Sequence, residues 1–287
     1  MIYLLFSILA STLIFIIFKS FDKFKINTLQ AIVINYLVAC IYGLASYENE
    51  IKIQEVTQSE WFYGAIFLAF LFIFTFNVMA LTSQRNGLSV ASVASKMSVI
   101  IPVIFGIYVY NEGVSFQKIA GILIALMAVY LTSIKSNTKF NLKGLWLPIM
   151  LFFGTGIIDT SLKYIETTFV PENGIPIFTA TIFSFALILG IIILAYKATK
   201  SKFIFSFKNV LGGLCLGIVN YYSVYFLLKA LQYENTESAT IFTVNNVAIV
   251  MLSTLIGLVI FKEKLILKNW IGIGLAIISI IMVTLVA

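Results

Sequence analysis

The chain has 287 residues, 61% of them hydrophobic and only 11% charged, with no histidine and a formal net charge of +7. That is more apolar surface than one soluble core of this size buries, so a single soluble globular domain is excluded and the bilayer is the expected solvent. A nucleic-acid binder is disfavoured as well, because the basic residues are divided among short connections and form no single patch.

Runs of roughly 17 to 25 apolar residues, the length that crosses about 30 Å of hydrocarbon as a helix, recur along the whole chain. Ten are expected: residues Ile2 to Phe18, Leu29 to Ser46, Trp61 to Ser83, Leu88 to Val109, Val114 to Ile134, Leu145 to Leu162, Ile175 to Tyr196, Val210 to Leu228, Ser238 to Ile260 and Leu267 to Ala287. They are apolar on all faces and do not alternate, which argues against a barrel. The first has its lysines, Lys19, Lys23 and Lys25, after it and none before, so it reads as a retained helix and not as a secretory signal. It carries Ser7 and Ser11, four apart on one face. The second holds Asn35 and Tyr36, read as links between helices, and the third holds Asn77. The fourth, expected to run unbroken, contains SVASVASKMSVIIPV, in which Ser92, Ser95, Lys96 and Val99 fall on one helical face. Asp159 lies in the sixth span, Asn220, Tyr221 and Ser223 in the eighth, and Thr243 and Asn246 in the ninth. Cys40 and Cys215 are expected as small buried hydrophobes, and Trp61, Trp146 and Trp270, each at the start of a span, as interfacial anchors.

Connections 1-2, 3-4, 5-6, 7-8 and 9-10 carry 14 of the 19 Lys and Arg, whereas the other four hold Lys52, Lys118, Lys163 and Lys229 with most of the glutamates. Positive loops stay in the cytoplasm, so this distribution places both termini outside.

The two halves repeat. SVASVASKMSVIIPVIFGIYVYNEGVSFQKIAGILIALMAVYLTS aligns with ATIFTVNNVAIVMLSTLIGLVIFKEKLILKNWIGIGLAIISIIMVTL, and at an offset of 151 Glu112 meets Glu263, Gly121 meets Gly272 and Ala125 meets Ala276. Residues 1–140 and 141–287 are therefore expected to be two five-helix units. An odd number of spans inverts the second copy relative to the first, the arrangement of transporters that expose a midplane site to one side and then the other. A duplicated bundle without transport is the plainer alternative. The two glycine and alanine pairs are expected to permit close packing within each half, and the two glutamates to accept bonds from the free N–H groups of the helix that follows each.

A helix ending in a short Asn-Glu-Gly or Lys-Glu-Lys turn, followed by a Gly-rich last helix, occurs at Asn111 to Ala125 and again at Lys262 to Ala276. In this the chain resembles the EamA-type domain of the drug/metabolite transporter superfamily. Pro102 matches a proline the family often carries before that turn, whereas the second copy has Ser253. The resemblance implies an all-α integral membrane protein of ten transmembrane helices in two inverted five-helix repeats, with a cavity lined by helices 1, 3, 4, 6, 8 and 9. Members are usually drawn with both termini cytoplasmic, a departure from what the lysines indicate here.

Ionisable groups inside a membrane are costly and usually functional. Lys96 lies about 12 Å along its span and Asp159 about 21 Å along its own, at roughly 1.5 Å per residue. Lys96 has three readings: a partner for a carboxylate or phosphate on the cargo, an ion pair with Asp159, or a structural plug. At the repeat offset Ser92 and Ser95 correspond to Thr243 and Asn246, giving two related polar faces. With Ser7, Ser11, Asn77, Asn220, Tyr221 and Ser223 these form the candidate binding set. No metal-ligand spacing, phosphate-cradling loop or paired deep carboxylates are present, so neither an enzyme, a metal nor a cofactor is expected. The expected function is secondary transport, toward export, of an amino acid or a related compound with an anionic group across a bacterial inner membrane. Asp159 is the one carboxylate placed for proton coupling. Broad export of drugs or cations, and a non-transporting membrane partner protein, are the alternatives.

Overall fold

The computed structural model describes residues 2–47, 52–109, 116–133, 142–171, 174–200, 206–231 and 238–284. They form helices α1 (Ile2–Lys23), α2 (Thr28–Ala45), a short α3 (Ile53–Gln58), α4 (Phe62–Arg85), α5 (Leu88–Met97), α6 (Ile100–Val109) and α7 (Phe116–Ser133). Then follow α8 (Leu142–Phe169), α9 (Ile175–Lys200), α10 (Phe207–Leu231), α11 (Ser238–Val259) and α12 (Leu267–Thr284). There is no strand among the described residues.

Among the described residues seven stretches are long and apolar enough to cross a membrane: α1, α2, α4, Leu88–Gly106, Leu145–Glu166, α9 and Phe207–Leu227. Three further apolar stretches, Ile119–Thr132, Val244–Val259 and Leu267–Met282, are shorter. Their outer faces carry large exposed hydrophobics, such as Leu123, Leu126, Ile188, Ile191 and Ile192, as lipid contact requires. Inside, threonines return their hydroxyls to their own turns: Thr12 to the Ile8 carbonyl, Thr82 to Val78 and Thr181 to Ile177, each at 2.7 Å.

Small residues fix the crossings. Helices α2 and α10 run side by side in the same direction, in register from the Asn27 N–H donating to Asn209 Oδ1 at 2.9 Å, through Asn220 Nδ2 donating to Asn35 Oδ1 at 3.3 Å, to the stacked rings of Tyr42 and Tyr221. Gly213 and Gly217 let the backbones approach: a Cβ at Gly213 would lie 2.6 Å from the Ala31 carbonyl oxygen, and one at Gly217 3.1 Å from that of Asn35. Helix α4 packs on α8 where Gly154 meets Thr75, and on α9 through Phe72 against Phe183, with Trp61, the residue before α4, against Phe178.

Several expectations are corrected here. The fourth span breaks into α5 and α6 at Ser98 and Val99. Pro102 has no N–H to give the Ser98 carbonyl four residues back, and the Ile101 N–H takes that carbonyl at 2.9 Å in a tighter turn. Gly272 does not pack within its half: it sits on Leu131 and Thr132 of α7, and Ser279 Oγ donates to the Gly121 carbonyl at 2.7 Å, so α7 and α12 join the two copies. Trp61 is not an exposed anchor but is 4% exposed, against Phe178, whereas Trp146 and Trp270 lie at the surface. Cys215 is exposed; Cys40 is buried, with its Sγ 3.0 Å from Ser184 Oγ.

Candidate functional site

Helix α5 runs through the middle of the bundle, with α1, α4, α7, α8, α11 and α12 packed around it. Its residues from Leu88 to Ser95, and Met97, are buried, while Lys96 in the last turn keeps accessible surface. Lys96 also lies two residues before the break at Ser98, where the regular helix ends inside the hydrophobic span. Irregular backbone at membrane depth is tolerated where it lines a cavity, and broken helices of this kind hold the sites of transporters.

Asp159, four residues beyond Thr155 on α8, is also accessible, although protein surrounds it. Lys96 and Asp159 form no salt bridge among the described residues, although their charges act on each other. Lys96 and Asp159 therefore carry opposite charges on two helices, α5 and α8, that pack against each other. In a low-dielectric cavity such pairings are far stronger than in water.

The other candidates divide between lining and packing. Ser92 is buried and donates to the Ser89 carbonyl at 3.1 Å, and the Ser95 carbonyl accepts from Ser98. Asn77 Nδ2 donates to the Ile73 carbonyl at 2.7 Å, within its own helix. Ser7 meets the Ser223 carbonyl and Asn245 Oδ1, both at 3.2 Å, where α1, α10 and α11 join, and Ser223 Oγ donates to the Asn220 carbonyl. Ser11, one turn further along α1, is partly exposed, and Asn246 is buried. Asn220 bonds Asn35 on α2, and Tyr221 lies near the end of the bundle beside Ser46 at 3.1 Å. The side chain of Thr243 lies outside the described residues. Lys96 and Asp159 are thus brought together, Ser7 and Ser223 form a second group, and Asn220 and Tyr221 face α2.

Two features escaped the sequence reading. Asn245 is the partner of Ser7 and is adjacent to Asn246 in an Asn-Asn pair that was a visible signal. Thr75, 1% exposed, has a hydroxyl without a hydrogen-bond partner among the described residues, beside Gly154, and an isolated threonine in a helix gives no such signal. The glutamate after α11 also behaves differently from expectation. Glu263 caps not the following helix but α5 of the other copy, accepting from the Leu88 N–H at 2.6 Å, while the Ile266 N–H next to α12 is served by Asn269 Oδ1. Glu112 lies outside the described residues.

The sequence profile of the EamA-like transporter family matches the chain twice, over residues 1–134 and 142–285. An uncharacterized protein of Haemophilus influenzae is 28% identical over 279 residues, covering 94% of this chain and 93% of its own. A crystal structure superposes over 98% of this chain and 99% of its own with a TM-score of 0.59 at 14% identity, a likeness of fold.

Proposed function

The chain belongs to the EamA-like transporter family, and from that premise we propose that it moves a small organic metabolite with an anionic group, such as an amino acid, by alternating access. The observation that supports this reading is Lys96: a cation with accessible surface, two residues before a helix break, on a helix that packs against the one carrying Asp159. A substrate carboxylate or phosphate meets Lys96, and an amino group on the same molecule meets Asp159. Asp159 is also the group placed to carry a proton if export is proton-coupled.

In this reading the helices make ten spans, α5 and α6 sharing the fourth, and the two copies at residues 1–140 and 141–287 are inverted relative to each other. The family assignment and the repeat at an offset of 151 support it. The membrane is a bacterial cell membrane, and the lysine-rich connections face the cytoplasm. A cysteine at position 1 or 287 is then labelled by an impermeant thiol reagent from the periplasmic side; protection at both positions reverses the orientation.

Purified protein in liposomes is expected to show counterflow of one or more amino acids. Counterflow of sugar phosphates in place of amino acids keeps the anion-binding role of Lys96 and changes the substrate class. Counterflow of cationic dyes alone makes Asp159 the principal contact and overturns the reading.

A further inference from the structure

Glu263 holds together parts of both repeats at the lysine-rich end of the bundle. Gly87, the residue before α5, has φ 113°, offers no side chain to cap the helix, and leaves the first-turn N–H groups in need of an acceptor. Glu263 supplies it from the second repeat: Oε1 accepts from the Leu88 N–H at 2.6 Å and Oε2 from Ser89 Oγ at 3.3 Å. Its negative charge sits at the positive end of the helix dipole. Lys19 of α1 approaches to 3.8 Å and is steadied by donating to the Gln84 carbonyl of α4 at 3.1 Å. Gln84 in turn donates to the Phe18 carbonyl and to Thr28 Oγ1.

The carboxylate is cradled. A Cβ on Gly257 would lie 2.6 Å from Oε2, and one on Gly87 2.8 Å from Oε1, so neither position has room for a side chain. The backbone that aims Glu263 is itself strained: Lys262 has φ 53°, and the reversal it makes lets the Glu263 N–H donate to the Gly257 carbonyl at 2.9 Å. One side chain from the second copy therefore joins the ends of α1, α4 and α5 in the first.

We propose that Glu263 is a latch: its bonds to Leu88, Ser89 and Lys19 hold the lysine-rich end of the bundle shut in this conformation, and their release lets α5 separate from the end of α11 and opens that end. The proposal rests on the alternating-access reading, because a protein without two states has no use for a releasable closure. It gives Glu263 a conformational role with no contact to the cargo.

The test reads conformation, not transport. Val99→Cys, in a background with Cys40 and Cys215 replaced by alanine, is reconstituted without substrate and exposed to an impermeant thiol reagent on the lysine-rich side. Glu263→Gln is expected to speed labelling several-fold, Lys19→Met to speed it less, and Gly257→Ala, which displaces the carboxylate without removing it, to match Glu263→Gln. Amide exchange of the segment from Leu88 to Ser92 rises in the same order. Unchanged labelling in folded Glu263→Gln and Gly257→Ala proteins, or a lowered melting temperature without a change in labelling, makes Glu263 a simple helix cap and overturns the latch. Because no substrate is present, faster labelling supports the latch even in a preparation that shows no counterflow, a result that would count against the cargo assignment alone.

Discussion

Replacing Lys96 by alanine is expected to raise the half-saturation concentration for an anionic-group substrate roughly 10- to 100-fold in proteoliposomes, since a hydrogen bond to a charged group is worth about 1.5–3 kcal/mol. The expectation follows from where the charge sits. Every neighbour of Lys96 along α5 is buried, and six helices pack against that segment, so bulk water is poorly placed to replace the ammonium. Lys96→Arg keeps the charge but widens the head group, and recovers part of the affinity for a carboxylate.

The double substitution separates cargo binding from a resting ion pair. If Lys96 meets the cargo, Asp159→Asn does not restore what Lys96→Ala loses. If instead Lys96 and Asp159 serve to neutralise each other, removing one leaves an unpaired buried charge, and removing both is milder than removing either. Transport by Lys96→Ala/Asp159→Asn at the level of the unsubstituted protein would therefore end the cargo assignment. Loss equal to or greater than that of Lys96→Ala alone sustains it.

The helical, membrane-type character was legible because it is a one-dimensional property: a run of apolar residues long enough for a bilayer must hydrogen-bond internally and becomes a helix wherever it packs, although only seven of the described helical stretches are long and apolar enough to cross a membrane. Each expected span overlaps a described helix, and the fourth overlaps two. The break in the fourth had a sign in Pro102, whose missing N–H acts on Ser98, but prolines are also tolerated in continuous membrane helices, as Pro148 is in α8. What the sequence could not reveal is which helix a given face meets. Gly121 and Gly272 advertise close packing by their size, yet nothing local distinguishes a partner in the same repeat from one in the other. Glu263 similarly advertises an acceptor beside a helix end, and the N–H it serves is 175 positions away. Lys96 and Asp159 stood out as charges in oily runs; that their helices pack against each other is a relation between the repeats that no local signal carries.

The α2–α10 crossing gives the largest expected loss of stability. Gly213→Ala should lower the melting temperature in detergent by an amount corresponding to about 1–3 kcal/mol, the usual cost of overpacking. The added methyl would meet the Ala31 carbonyl oxygen at 2.6 Å and Ile34 Cβ at 2.5 Å, atoms of a helix backbone and of a β-branched side chain that cannot swing aside. The two helices must then part, and they share the register that carries the Asn35–Asn220 bond, where Asn35 Nδ2 already lacks a partner among the described residues. Gly274→Ala is the matched control: its methyl would meet nothing within 4 Å, and alanine is favoured over glycine in a helix by roughly 1 kcal/mol. Opposite shifts are therefore expected from the same chemical change at two helical glycines. Equal shifts would mean that α2 and α10 do not pack through Gly213, and with that contact would go the register that holds Asn220 against Asn35 of α2.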